Sequence, residues 1–472
     1  MHILYVTGEA APFAASGGLG DVMGALPAQI KRLSPEDTVS VILPLYAQVS
    51  AEHRAEMNKI ASFEIEYVWR HAPVSVYEIV REGVSYLFVE NGQYFDRPAM
   101  YGQYDDGERY AFFGHAVIEF MLRTGRIPDL LHANDWQAAL SVIYLKLRFR
   151  GIEQLKHIKT VFTIHNIEYQ GKFDPAILGD IFDIWYEDMG VLEYDGAINL
   201  LKGALVCADR ITTVSPTYAR ELRESYFAFG MEHIVRMFEP KMSGIINGID
   251  TDYFDPAASD IPYPYTAECL AEGKKQNKLH LQRALGLPER EEVPIVAMIT
   301  RLTEGKGIDL VLHVFEELMA QDVQFVLLGT GDARYEHIFG TLCERYGDRA
   351  RALLRFDRKL SKEIYAGADI FLMPSKTEPC GLAQMIACRY GTVPVVHGVG
   401  GLADSIVPYS EEGSVGFVFR NFNAHDMLFR LKDALSLYSD PDGWSALRYR
   451  AATADFTWEQ SARKYLELYR NF

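Results

Sequence analysis

Short apolar runs recur along this chain at the spacing of a parallel α/β sheet, most followed by a stretch with helical apolar spacing. In the first half the runs are Ile3 to Thr7, Thr38 to Pro44, Tyr86 to Glu90, Leu130 to Ala133, Thr160 to Ile164 and Arg210 to Val214. A second series begins after Gly244-Ile245-Ile246-Asn247-Gly248-Ile249-Asp250. It comprises Ile295 to Thr300, Gln324 to Leu328, Ala352 to Phe356, Ile370 to Met373 and Val393 to Val396. Alternating strands and helices predict doubly wound, largely parallel sheets. Two series predict two Rossmann-like α/β domains facing each other across a cleft. Residues 251–275, with Asp255-Pro256 and Pro262-Tyr263-Pro264-Tyr265, read as irregular connection. Trp458, Ala462, Tyr465 and Tyr469 have helical spacing, and on spacing alone that helix could pack on either domain.

Length agrees with two domains, because 472 residues exceed what one hydrophobic core usually fills. Charge narrows the partners. Lys plus Arg total 47 against 64 Asp plus Glu, a net −17 that disfavours nucleic acid and anionic membranes. No apolar run reaches membrane-spanning length, and Met1 to Val6 runs directly into a strand without a charged leader. Cys207, Cys269, Cys343, Cys380 and Cys388 are odd in number and lack metal-ligand spacing. Reduced thiols and a cytoplasmic protein are expected.

Chemistry concentrates where strands end, the edge at which open α/β sheets bind ligands. Pro374 to Gln384 joins a strand to a helix and offers the Glu378 carboxylate beside the amides of Cys380, Gly381 and Leu382, groups suited to sugar hydroxyls. After the first strand, Ser16-Gly17-Gly18-Leu19-Gly20-Asp21-Val22 lets the backbone approach a ligand at a helix start. His132 to Gln137 and His165 to Gly171 are polar clusters at successive strand ends, with Trp136 and Tyr169 as rings on which sugars stack. Arg301 and Lys306 flank a turn, a cation pair able to neutralise a diphosphate. Gly329 to Asp332 either flanks a nucleotide or is a plain βα turn. The other clusters have plain readings too: ordinary turns, packed histidines, solvated charges.

Taken together and in order, these motifs resemble the bacterial glycogen synthase and plant starch synthase family over essentially the full length. The resemblance rests on the glycine loop with Gly24-Ala25-Leu26-Pro27, His132 to Gln137, His165-Asn166-Ile167 with Tyr169-Gln170-Gly171, and Asn247 to Asp250. It continues through Arg301-Leu302 with Lys306-Gly307, Glu378 to Leu382 with Gln384, Arg389-Tyr390-Gly391, Gly400 to Asp404 and Phe456-Thr457-Trp458-Glu459. It implies a GT-B type fold with an acceptor-side domain over 1–245, to which a C-terminal helix at 456–472 returns, and a nucleotide-sugar domain over 246–455. It also implies transfer of glucose from ADP-glucose or UDP-glucose, with retention, to an α-1,4-glucan or maltooligosaccharide. On matching positions, His165 lies beside the anomeric carbon, Glu378 holds glucose hydroxyls with the Cys380, Gly381 and Leu382 amides, and Arg301 and Lys306 bind the distal phosphates. Gly17 and Gly18 face those phosphates, while Asp21, Asp135 and Asn247 are cleft or acceptor residues. No metal or other cofactor is expected, since two cations serve the leaving group.

The sequence departs from the family at Ala15, where a lysine two residues before Gly-Gly-Leu is usual. His397 and Val399 replace an arginine and a threonine ahead of the later Gly-Gly-Leu. Two alternatives follow. One is a glucan-binding or regulatory paralogue without synthesis; the other is a transferase with a changed donor or acceptor, such as glucose 1-phosphate.

Overall fold

The first apolar run forms β1 (His2–Val6), near the middle of a nine-stranded sheet in a computed structural model that describes residues 1–258 and 260–472. The chain divides into two units, Met1–Asn247 with Trp458–Phe472, and Gly248–Thr457. The divisions thus fall two residues beyond 245 and 455, the positions that the resemblance implies.

The first unit continues with β2 (Thr38–Pro44), β3 (Asn58–Tyr67), β4 (Arg70–Arg81), β5 (Val84–Glu90), β6 (Leu130–Asn134) and β7 (Lys159–Ile164). A small separate sheet holds β8 (Lys172–Phe173), β9 (Glu193–Tyr194) and β10 (Ala197–Asn199), and β11 (Arg210–Thr213) and β12 (Met242–Gly244) complete the large one. The order is β12-β11-β7-β6-β1-β2-β5-β4-β3, parallel as far as β5 and antiparallel through β4 and β3. That hairpin is absent from the apolar-run pattern because Phe63, Ile65 and Tyr67 alternate with Ser62, Glu64 and Glu66, the signature of a strand solvated on one face.

The second unit is wholly parallel. Its strands are β13 (Ile295–Ile299), β14 (Gln324–Leu328), β15 (Ala350–Leu353), β16 (Ile370–Met373), β17 (Val393–His397) and β18 (Phe417–Phe419), in the order β15-β14-β13-β16-β17-β18. Successive side chains serve opposite cores: Val296 and Met298 join one cluster, Ile295 and Ala297 the other. Burial on both faces explains why these strands read as continuous apolar runs. One expected strand is displaced. Ala352 to Phe356 gives way to Ala350–Leu353, because β15 is an edge strand and Phe356 lies past its end, 81% exposed.

The helix Trp458–Arg470 belongs with the first unit. The Tyr469 hydroxyl meets those of Tyr5 at 3.0 Å and His132 Nδ1 at 2.6 Å, and Ser461 donates to the Ile246 carbonyl.

Candidate active site

In the second unit, two loops at the same sheet edge are locked together by backbone. Gly307 adopts φ +70°, and a Cβ there would lie 1.9 Å from the Pro374 carbonyl oxygen. Only glycine permits that approach. The Lys376 amide donates to the Gly305 carbonyl at 2.9 Å, so the loops following β13 and β16 are joined through backbone. This brings Lys306 Nζ to 2.7 Å from Glu378 Oε2, where the Ser375 hydroxyl also donates at 2.8 Å. Glu378 is buried and Lys306 half-buried, so the pair is shielded from solvent screening.

The other carboxylate oxygen, Glu378 Oε1, receives no hydrogen bond from the described residues, nor do the Gly381 and Leu382 amides donate one. One open acceptor therefore stands in the same loop as two open donors. Behind the loop, Gly400 sits at φ +44° where a Cβ would fall 1.9 Å from the Glu378 carbonyl oxygen, and the Gly401 amide donates to that oxygen at 3.1 Å. His397 Nδ1 donates to the Ser375 carbonyl at 2.8 Å, and burial lowers its pKa. Cys380 is buried. Arg301 is exposed, and its side chain has no ion pair or hydrogen bond among the described residues. The Gly329 to Asp332 turn packs on the Arg301 loop. Leu302 donates to the Thr330 carbonyl and Asp332 to the Leu302 carbonyl. That packing accounts for the glycines of the turn.

In the first unit, Glu9 organises the glycine loop. Its carboxylate, 4% exposed, accepts from the Ser16 amide and hydroxyl, each at 2.6 Å, and from the Gly17 amide at 3.3 Å. Gly17 and Gly18 are exposed and face open space at the start of the helix Gly18–Leu33, with Asp21 exposed in its first turn. Glu9 was absent from the sequence-derived candidates. Its signal was available: it is the one acid between the first strand and the glycines.

The histidine clusters separate into two roles. Asn134 Nδ2 donates to the Val6 and His132 carbonyls, so its Oδ1 is the acceptor for His165 Nε2 at 2.9 Å. His165 therefore carries its proton on Nε2 and presents a lone pair at Nδ1. Burial lowers its pKa to about 3, which keeps the ring neutral. Asp135 Oδ1 accepts from the His165 amide at 2.8 Å, and Asp135 adopts φ +57°, a left-handed conformation that costs strain in a non-glycine residue. Burial raises its carboxyl to about 7, against the opposing bond from the His165 amide. Asn247 is buried, with an Oδ1 that has no partner among the described residues.

His132 is a core residue and not part of this group. It is fully buried between Tyr469 and Thr163, with its pKa lowered by burial to about 3. Trp136 is likewise no open platform, since its ring packs on Tyr110, Phe173 and Gly171. Tyr169 remains half exposed.

Two α/β units, one with a largely and one with a wholly parallel sheet, the latter carrying a cation-paired carboxylate and open amides at its strand ends, have the architecture and the groups that a glycosyltransferase requires. Comparison with known proteins sharpens the class. Residues 2–237 match the starch synthase catalytic domain family and residues 285–447 the family of glycosyl transferases group 1. The chain is 43% identical over 475 residues to the glycogen synthase of Ligilactobacillus salivarius, covering 99% of each. It is 44% identical over 476 residues to that of Streptococcus mutans, covering 100% of this chain and 99% of the other. The catalytic domain of starch synthase IV from Arabidopsis thaliana, solved with ADP and acarbose, is 32% identical, with a TM-score of 0.90 over 99% of this chain and 98% of that one. This chain belongs to the glycogen synthase and starch synthase family of glycosyltransferases.

Proposed function

We propose that the protein transfers glucose from ADP-glucose to the non-reducing end of an α-1,4-glucan with retention of configuration. The observation that carries this reading is the Glu378 loop: one carboxylate oxygen fixed by Lys306 and Ser375, the other open beside the Gly381 and Leu382 amides. That set offers an acceptor and two donors to sugar hydroxyls, with a cation alongside for the phosphate. Cleaving a glucosyl phosphate bond leaves negative charge on the diphosphate and positive character on the sugar, so cations at the phosphate stabilise the transition state. Arg301 and Lys306 take that role, which leaves no requirement for a metal ion.

Glu378 positions the glucose, and Cys380 contributes its amide with those of Gly381 and Leu382. In the first unit, neutral His165 acts as a hydrogen-bonding group at the reacting sugar. Gly17 and Gly18 give an unobstructed backbone approach to phosphate, and Asp21, Asp135 and Asn247 contact the glucan. ADP as the donor's nucleotide is favoured by the starch synthase IV relative, which was solved with ADP and acarbose. Incorporation of labelled glucose from ADP-glucose and from UDP-glucose into glycogen tests the reading. Faster incorporation from ADP-glucose is expected. No incorporation from either donor by folded, glucan-binding protein overturns it.

A second reading, a glucan-binding paralogue without synthesis, is favoured by Ala15 alone. The half-exposed Ala15 methyl packs where a Gly20 Cβ would lie, 2.4 Å away, and brings no cation to the loop.

A further inference from the structure

We infer that His397 is a positioning residue of the nucleotide-sugar site, aiming the Ser375 hydroxyl at Glu378 through the Ser375 carbonyl. The inference rests on the function proposed above, in which Glu378 holds the sugar. His397 is one of the positions at which the sequence departs from its family, and the transfer chemistry makes no direct use of it. It ends β17, 5% exposed, with its ring stacked on Phe419 at 5.2 Å and 22° and tilted against Phe422 at 5.5 Å. Packing alone would favour phenylalanine here, since burying an imidazole carries a desolvation cost that a phenyl ring does not. What the imidazole adds is an N–H. The group opposite Nδ1 is a carbonyl, which only accepts, so Nδ1 carries the proton and donates to the Ser375 oxygen at 2.8 Å.

Ser375 is 1% exposed, so its carbonyl needs a donor from the protein. The same peptide unit donates its N–H, that of Lys376, to the Gly305 carbonyl at 2.9 Å. The peptide plane between Ser375 and Lys376 is thus gripped at both ends, by the loop after β13 on one side and by the histidine of β17 on the other, the two strands that flank β16. Rotation of that plane is rotation about the Cα–C bond of Ser375, and the side chain springs from the same Cα. Holding the plane therefore holds the hydroxyl on its line to Glu378 Oε2, 2.8 Å away. With the histidine N–H removed, one grip remains and the plane can turn.

Kinetics of glucose incorporation from ADP-glucose into glycogen, with each variant assayed well below its Tm, test the role. His397→Phe keeps a stacked ring and removes the N–H, and kcat/KM for ADP-glucose should fall about fivefold or more. In a Ser375→Ala background the same change should cost less than about twofold, because the hydroxyl it would misdirect is absent. His397→Asn, whose amide nitrogen falls near the place of Nδ1, should recover most of the loss, whereas His397→Leu, of similar volume, should not. That pair repeats the comparison without a ring, should the phenylalanine variant fail to fold. A phenylalanine variant equal to wild type overturns the inference. So do equal losses in the asparagine and leucine variants, a full loss in the Ser375→Ala background, or a change confined to the KM for glycogen. Any of these beside an active wild type leaves the proposed function standing. A wild type that incorporates no glucose from either nucleotide sugar overturns that function and this inference with it.

Discussion

Lys306 and Glu378 lie 72 residues apart in sequence and 2.7 Å apart in space, joined because Gly307 lets one loop close on the Pro374 carbonyl of the other. Under the proposed function the pair makes the donor-side chemistry a coupled unit. Neutralising the carboxylate should therefore do more than remove one contact to sugar. Glu378→Gln keeps the shape, releases Lys306 and weakens the Ser375 bond. Loss of a charge-assisted contact at this buried position predicts a fall in kcat/KM for the donor of about 100-fold. Ser375→Ala, which leaves the ion pair in place, should cost about tenfold or less. Steady-state kinetics with both variants checks the order, and equal losses would contradict the coupling.

Stability against pH should carry opposing contributions from neighbouring groups. Asp135 is raised by burial to about 7 from an ordinary 3.8. The folded state thus retains a proton that the unfolded state releases, a contribution present at low pH and lost as pH climbs from about 4 to 7. His132 and His165 are lowered by burial to about 3 from 6.5, so their contribution is present above 6.5 and lost as pH falls. Between about pH 4 and 6.5 the terms oppose, and from 6.5 to 7 Asp135 acts alone. Asp135→Asn, whose amide oxygen still accepts the His165 amide, should steepen the rise in Tm across the lower window and abolish the decline above it. Activity of the wild type should show no imidazolium limb near 6.5, since His165 stays neutral there. Superimposable Tm profiles for the two proteins would refute the Asp135 term.

His132 should behave as a packing residue. Replacing it by Phe fills the same space, and its former partners keep others: Tyr469 still meets Tyr5, and Thr163 still meets Thr212. The expected cost is about 1 kcal/mol. His132→Ala opens a cavity in a fully buried site and should cost about 2–4 kcal/mol. Neither change should alter the donor KM of folded protein. Denaturant unfolding together with kinetics distinguishes this from a role in binding, which would move KM first.

How much of this was readable beforehand follows from the physics of each element. Strands buried on both faces announce themselves as apolar runs, which is why β13, β14 and β16 were legible and the half-solvated β3 was not. Loops at strand ends were legible as Gly- and Pro-bounded polar stretches. The pairing of Lys306 with Glu378 was hidden, because it depends on two loops meeting through Gly307. His132 and His165 look alike in sequence, each at the end of an apolar run. Only tertiary neighbours distinguish them: Tyr5 and Tyr469 close over the first, whereas Asn134 holds the second by one nitrogen and leaves the other open.

The remaining question lies at Ala15. Glu9 holds Ser16 and Gly17, so the loop's backbone is fixed without help from residue 15. A longer side chain there should add a function without reshaping the loop. Ala15 is half-exposed, which gives a lysine room to extend from a Cβ already accommodated beside Gly20. If diphosphate departure limits turnover, the added cation stabilises the developing charge, and a charge-assisted contact is worth about 1.5–3 kcal/mol. Ala15→Lys should then raise kcat/KM for ADP-glucose about tenfold or more. The gain should appear in kcat as well as KM, since the charge develops in the transition state. Ala15→Met, similar in length and neutral, should give none of it. Equal rates for wild type, lysine and methionine variants would show that the missing cation does not limit this enzyme.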